Sequence, residues 1–296
     1  MEGPLHAFQY QPLESVNTIR VVILEPAEDH DDPLKAQLLH VNRERLSLGA
    51  EKIAIYEAVS YCWDDPTPAS SLIVDENLDL PITRNVDVLL RYLRSRTKHR
   101  YLWIDGICMD QQNNGEKEVQ VRLMGRIYAQ ATKVHVWLGV ETRDDNVHGV
   151  FNALKWMAMC LKNKTLPTLG DLDYFFKFQC GPDWPAKIRQ FFARPYFSRR
   201  WILQEIALGH HTTIRCGPWK LSWQWFIGGV IGLQRMIDGE ILLGFTETHS
   251  RLNTIVAIED STNHKLLALL WRFHESRCSV AHDTIFALYG LAQDAL

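Results

Sequence analysis

Residues 101–139, "YLWIDGICMDQQNNGEKEVQVRLMGRIYAQATKVHVWLG", decide the fold. "YLWIDGIC" reads as a short apolar strand that ends in a carboxylate, Asp105. The polar loop "MDQQNNGEKE" follows, and then a helix with Val121, Met124, Ile127, Tyr128 and Ala131 on one face. "KVHVWLG" is a second buried strand. Strand, helix and strand in that order form the unit of a parallel sheet, and ligands gather where such strands end.

Upstream, "TIRVVILEP" is a β-branched strand closed by Pro26. "AQLLHVNRERL" either pairs with it or opens a small sheet of its own. "KIAIYEAVSYCW" is β-rich and runs into a loop, "DDPTPAS". "SLIVDENLDLPIT" reads as a hairpin turning near Asn77. Thr83 caps a helix through "RNVDVLLRYLRSR", where Val86, Leu89, Leu90 and Leu93 recur at helical spacing. Strands and helices thus alternate from about residue 56 to residue 139. Downstream, "DYFFKFQCGPDWP" looks aromatic and loop-rich, and "AKIRQFFA" is a helix. After Gly209 one strand, "TTIRC", is expected. From "SWQWFIGGVIGLQRMI" to "HDTIFALYGLA" the chain reads as mainly helical. No repeat or low-complexity tract is visible.

The bulk numbers exclude little but are ordinary for a globular domain. Of 296 residues, 46% are hydrophobic and 23% charged, and the net charge is -3. That balance gives no pull toward nucleic acid or an anionic membrane, and no apolar run approaches a membrane span. Six cysteines (Cys62, Cys108, Cys160, Cys180, Cys216 and Cys278) lie scattered without CxxC spacing. Buried, reduced thiols in a reducing cytoplasm are expected. The first ten residues have neither a basic start nor an apolar core, so no signal peptide is expected. The sequon at Asn163 therefore carries no weight. His210 and His211 are adjacent but share no ligand spacing with other residues, so no metal is expected.

A second stretch raises a chemical question. "RRWILQEIALG", residues 199–209, reads as a short helix capped by Ser198 and closed by Gly209. Trp201, Gln204, Glu205 and Leu208 share one face, and apolar residues cover most of the rest. A helix this apolar is buried, and a buried carboxylate needs partners or water. The residues alone leave two readings of Glu205 open. One is a core ion pair with Arg199 or Arg200; the other is a carboxylate opening into a cleft.

With these stretches in view, a resemblance emerges. "YEAVSYCW" resembles the first block of the fungal heterokaryon-incompatibility (HET) domain. "LWIDGICMDQ" with "EVQVRLMGRIYAQATKVHVWLG" resembles its second block, and "RRWILQEIALG" its third. "HDTIFALYGLA" resembles a segment that commonly follows. The order and spacing of three aromatic-rich blocks are specific where any one alone is weak. The likeness covers residues 18–210, expected as one α/β domain, with a mainly helical extension over 211–296. The chain departs from the family at Asp64, where Gly is usual. It also reads "CMDQ" for "CINQ", and "VAHD" for "DPRD". Members of the family are often longer, which is consistent with a shortened chain here.

The HET domain is in turn similar to TIR domains, which implies a flavodoxin-like, mostly parallel sheet flanked by helices, here with N-terminal β additions. "WILQE" is similar to the TIR pattern of a tryptophan followed a turn later by glutamate, the residue that cleaves NAD in TIR enzymes. The resemblance therefore implies Glu205 as a single catalytic carboxylate. It needs no acid partner, because nicotinamide leaves as a neutral molecule, unlike the leaving groups that two-carboxylate glycosidases protonate. The charge growing on the ribose would be met by Glu205. Ser60, Tyr61, Trp63 and Trp201 would line or stack on the ligand, Asp105, Cys108 and Gln111 would lie at the strand end, and Arg199 or Arg200 would hold the pyrophosphate. NAD would be substrate rather than cofactor.

Plainer readings of the same residues stay open. Tyr61 and Trp63 also suit a core lid, and Asp105 suits a cap on the loop "GICMDQ". Cys108 has no histidine tied to it and suits a structural thiol. Gln111 suits loop ordering, and Glu116 suits a solvated first turn facing the helix dipole. The basic run "RYLRSRTKHR" suits a helix C-terminus with solvated charges. The family association is self/non-self recognition and programmed cell death. The implied partners are NAD or a related nucleotide, further copies of the chain and an upstream recognition protein, with no membrane and no specific nucleic acid. The alternative is a non-catalytic signalling module, or a hydrolase of another nucleotide.

Overall fold

The structure, a computed structural model, describes residues 5–44, 56–239, 244–262, 264–278 and 280–294. The chain divides into two compact units, Met1–Trp137 and Leu138–Leu296. The division falls inside the stretch expected to form one α/β domain. Residues 45–55, including the start of "KIAIYEAVSYCW", lie outside the described residues.

The first unit is built on a mixed sheet. Its strands are β1 (His6–Ala7), β2 (Thr18–Leu24), β3 (Lys35–Asn42), β4 (Glu57–Tyr61), β5 (Pro68–Val74), β6 (Leu78–Thr83), β7 (Arg100–Trp103) and β8 (Lys133–Trp137). They lie in the order β1-β6-β5-β3-β2-β7-β4-β8. At the centre of the α/β part, β4 pairs parallel with β7 on one side and β8 on the other. Taken as first, second and third, these strands follow the 2-1-3 order that opens a flavodoxin-like sheet. The N-terminal additions are largely antiparallel: β2 pairs with both β7 and β3, and β5 with β6. "AQLLHVN" thus pairs with "TIRVVIL" over a seven-residue register from Thr18↔Asn42 to Leu24↔Ala36.

Helix α1 (Arg84–Leu93) forms where its spacing predicts it, with the Thr83 hydroxyl accepting from the Val86 amide and Val86, Leu89, Leu90 and Leu93 buried. A one-turn helix, α2 (Asp105–Cys108), follows β7, and α3 (Asn114–Gln130) returns the chain to β8. One detail corrects the sequence reading and another agrees with it. The loop "DDPTPAS" is shorter than expected, because Pro68 already pairs with Thr83 at the start of β5 and the ladder shifts register between Pro68 and Ser70. The hairpin turn beyond β5 places Asp75 and Glu76 at positive φ, just before Asn77.

The second unit is mainly helical: α4 (Val147–Lys162), α5 (Leu169–Cys180), α6 (Trp184–Phe192), α7 (Ile202–Ala207), α8 (Trp223–Asp238), α9 (Thr246–Ile258), α10 (Leu266–Arg272) and α11 (Asp283–Tyr289). The stretch 173–185, expected to be loop-rich, is helical through Cys180. A reciprocal Thr168–Asp171 cap starts α5, and Leu172, Phe176 and Cys180 are buried at four-residue spacing. "TTIRC" forms β9 (Thr213–Cys216) and is joined by an unforeseen β10 (Trp219–Ser222). Gly217 at φ +50°, followed by Pro218, makes the two-residue turn between them. Phe191, Phe192, Phe197 and Phe226 form an aromatic core, with Phe197 and Phe226 stacked at 5.9 Å. Among the described residues no helix is long and apolar enough to cross a membrane.

Candidate functional site

The carboxyl ends of β4 and β7 deliver two loops to one side of the first unit, and a cleft of about 900 Å³ opens beside them. Tyr61 ends β4, and the chain then runs through Trp63 into the cleft wall. The exit loop is fixed from α1, because the Asn85 amide donates to the Cys62 carbonyl at 2.8 Å. Asn85 is oriented in turn by the Trp137 indole, at 3.0 Å. Helix α3 pins the strand itself: the buried Tyr128 hydroxyl donates to the Val59 carbonyl at 3.0 Å.

The loop after β7 meets the loop after β4 at Asp105. One Asp105 oxygen accepts the Trp63 indole N–H at 2.8 Å, and the other accepts the Gly106 amide at 2.7 Å. Asp105 therefore caps its own turn, as the plainer reading expects, and also holds Trp63 in place. Trp63 does not close the core; it stays 47% exposed at the cleft, whereas Tyr61 is 4% exposed. Gly106 makes this packing possible, since a Cβ there would lie 2.5 Å from the Tyr61 hydroxyl. The Gln111 amide donates to the Asp105 carbonyl at 2.8 Å and also lines the cleft. Ser60 is buried on β4.

Cys108 has the environment of a structural thiol. It is 1% exposed, takes the Ile104 amide on sulfur at 3.4 Å, and burial pushes the thiol up to about 12. The expectation for Glu116 is corrected: its side chain is not solvated but 8% exposed, paired with Arg20 and accepting the Asp110 amide at 2.8 Å. The N-terminal contribution was missed altogether, since Phe8 and Tyr10 line the cleft. Their alternation with polar residues in "HAFQY" is the one sequence signal that could have flagged them.

In the second unit the opening of the 199–209 motif differs from expectation. The helix begins at Ile202, and Arg199 is extended, bridged to Arg277. Ser198 caps nothing; its hydroxyl donates to the Pro195 carbonyl at 2.8 Å. The chain cannot turn helical earlier because its backbone is already paired: the Arg277 amide donates to Ser198 and the Arg200 amide to Arg277, both at 2.7 Å. Arg200 is 2% exposed and directs its guanidinium to the carbonyls of Thr284 (2.8 Å) and Phe273 (2.7 Å). It is a backbone clamp, not the arginine half of a core ion pair. The Trp201 indole donates to Asp283 at 3.0 Å, so the "HDTIFALYGLA" tail bonds directly to the "RRWILQEIALG" motif. Glu205 lies on α7 at 1% exposure, beside Gln204 at 2%. Among the described residues no group of three His, Cys, Asp or Glu side chains is placed to hold a metal ion.

Comparison with known proteins matches these motifs. A family described as "Heterokaryon incompatibility protein (HET)" matches residues 56–205, about half of the chain. Heterokaryon incompatibility protein 6, OR allele, of Neurospora crassa is 30% identical over 286 residues, covering 83% of this chain and 40% of that protein. The chain thus spans about 40% of the length of the curated relative it matches. No solved structure matches it. The three motif blocks, the matched span from Tyr56 to Glu205 and the similarity to a curated member together show that the chain belongs to the heterokaryon incompatibility family.

Proposed function

We propose that this chain acts in heterokaryon incompatibility, as a cytoplasmic effector of self/non-self recognition and cell death, and that it does so by cleaving NAD. The observation that carries the enzymatic part is Glu205, a carboxylate kept at 1% exposure on a short helix whose other residues, Gln204 apart, are apolar. Burying such a group is costly, and functional sites are where that cost recurs. In the reaction the bond from ribose C1′ to the pyridinium nitrogen breaks, and its electron pair stays on nicotinamide, which leaves neutral. Water adds to C1′ and releases a proton. Glu205 stabilises the positive charge that develops on the sugar. At 1% exposure the carboxylate needs a rearrangement to meet substrate. Self-association, or contact with an upstream recognition protein, supplies it in this reading.

The same low exposure of Glu205 favours a second reading, a non-catalytic signalling module that acts through protein contacts. One experiment separates the two. Purified protein, dilute and concentrated, is incubated with NAD and nicotinamide release is followed for the wild type and Glu205→Gln. The enzyme reading expects release that rises steeply with protein concentration and is lost in the variant. If both proteins are inert on NAD yet both still kill cells, the signalling module stands. Cleavage of other nucleotides with NAD spared would redirect the chemistry to those substrates.

A further inference from the structure

We infer that the cleft at the carboxyl ends of β4 and β7 is a binding site for a small planar organic cation. The inference rests on the first unit alone and uses neither Glu205 nor NAD cleavage.

The walls supply flat, electron-rich surface. Trp63 is 47% exposed at the cleft, yet its ring is not free to swing, because Asp105 holds its indole N–H at 2.8 Å. A ring fixed before binding loses little freedom when a ligand stacks on it. Tyr61, Phe8 and Tyr10 add further aromatic surface, with Phe8 and Tyr10 edge to face at 5.0 Å. Aromatic faces attract cations through the ring quadrupole. Tyr10 already shows this behaviour, carrying the Arg20 guanidinium 4.9 Å over its ring.

The polar lining fixes the sign of the charge. Asp64, Asp65, Asp79 and Asp110 line the cleft, and among the described residues no Lys, Arg or His does. Neutral donors satisfy three of these carboxylates. Asp65 accepts the Thr67 amide at 2.9 Å, Asp110 the Gln112 amide at 3.0 Å, and Asp79 the Ser71 hydroxyl. Among the described residues, no cation of the lining offsets the charge of these three. The nearby Arg20 does not offset it, being matched by Glu116 at 2.6 Å. A concave site with low-dielectric walls and one sign of charge concentrates ligands of the other sign. Aromatic walls with a negative rim suit a flat cation and repel a phosphate or carboxylate.

The test compares three probes of nearly one shape by calorimetry: 1-methylnicotinamide, a cation; nicotinamide, neutral; and nicotinate, an anion. We expect the cation to bind at least tenfold tighter than the neutral ring, nicotinate to bind more weakly still, and the preference to shrink as salt is added. The doubly neutralised Asp65→Asn, Asp110→Asn protein should lose most of the preference while unfolding at an unchanged temperature. Trp63→Ala should weaken all three probes together. Equal affinity for cation and neutral ring, a preference for nicotinate, or no binding of the cation at millimolar concentration overturns the inference. Cation binding without NAD cleavage would remove the enzymatic reading and leave this site standing. NAD cleavage without a cation preference would do the reverse.

Discussion

Arg20 and Glu116 form a buried, two-armed ion pair across 96 residues of sequence, with oxygen–nitrogen distances of 2.6 and 2.9 Å. The pair organises one side of the cleft. Arg20 also donates to the Cys108 carbonyl at 3.2 Å and the Gln11 carbonyl at 2.7 Å, and Glu116 takes the Asp110 amide. Two cleft-lining segments, one N-terminal and one after α2, are thereby tied to β2. Removing one member of such a pair strands the other charge in a dry site. Glu116→Ala is expected to destabilise the first unit by roughly 3–5 kcal/mol, read from denaturant unfolding. Loss below about 1 kcal/mol would mean that the pair contributes little net stability.

The same pair sets an acid limit. Burial alone would raise the Glu116 carboxyl, but the hydrogen bonds from Arg20 and the Asp110 amide outweigh it and hold the group below the usual range. Glu57 behaves alike: burial opposes ionisation, yet His135 and Arg100 bring it down to about 2. Groups depressed in the folded state stabilise it above their unfolded pKa, and that stability is lost as pH falls through the folded one. On account of these two carboxylates the unfolding midpoint should therefore fall between about pH 4.5 and 2. In Glu57→Gln that decline should be shallower, because one of the two linked groups is gone. An equally steep decline in the variant would show that other carboxylates set the limit.

Gly106 and Tyr61 fit because the glycine has no side chain. A Cβ at residue 106 would meet the Tyr61 hydroxyl at 2.5 Å, and Tyr61, at 4% exposure, has little room to retreat. Gly106→Ala is expected to cost about 1–3 kcal/mol through overpacking and to displace the tyrosine from the cleft wall. Pairing it with Tyr61→Phe, which removes the clashing oxygen, should restore much of the loss. If the two substitutions simply add, the contact is not the cause.

The sequence made the α/β part legible because both periodicities are clean there. Val86, Leu89, Leu90 and Leu93 mark α1 at helical spacing, and "KVHVW" and "RVVIL" mark strands by their β-branched residues. Tyr61, Trp63 and Gln111, which the family resemblance implies for a ligand site, line one cleft of the first unit. What escaped depends on partners far along the chain. Glu116 reads as solvated from its own helix, and only Arg20, on a distant strand, buries it. Asp65, Asp79 and Asp110 look like turn residues one at a time, and the fold alone assembles them around one cleft. Helix α5 was missed because its aromatic residues hide the four-residue spacing of Leu172, Phe176 and Cys180.

Arg200 offers a test of structure against ligand binding at one residue. As a pyrophosphate holder it would need a free guanidinium face. Instead Nε and Nη1 are bonded to the carbonyls of Thr284 and Phe273, and the side chain is 2% exposed. Those carbonyls lie beside α10 and on α11, so one planar fork joins two helices of the second unit to the strand-like segment before α7. Lysine carries the same charge but cannot reach two carbonyls in the fixed directions of a guanidinium. Arg200→Lys should leave at least one buried carbonyl unpaired and cost about 1–3 kcal/mol. A clamp predicts a lower unfolding midpoint, with the affinity of the folded fraction for any nucleotide unchanged. A phosphate contact predicts the opposite: stability untouched and nucleotide affinity reduced. Measuring both on one preparation assigns the residue, and an unaltered midpoint would return Arg200 to the ligand.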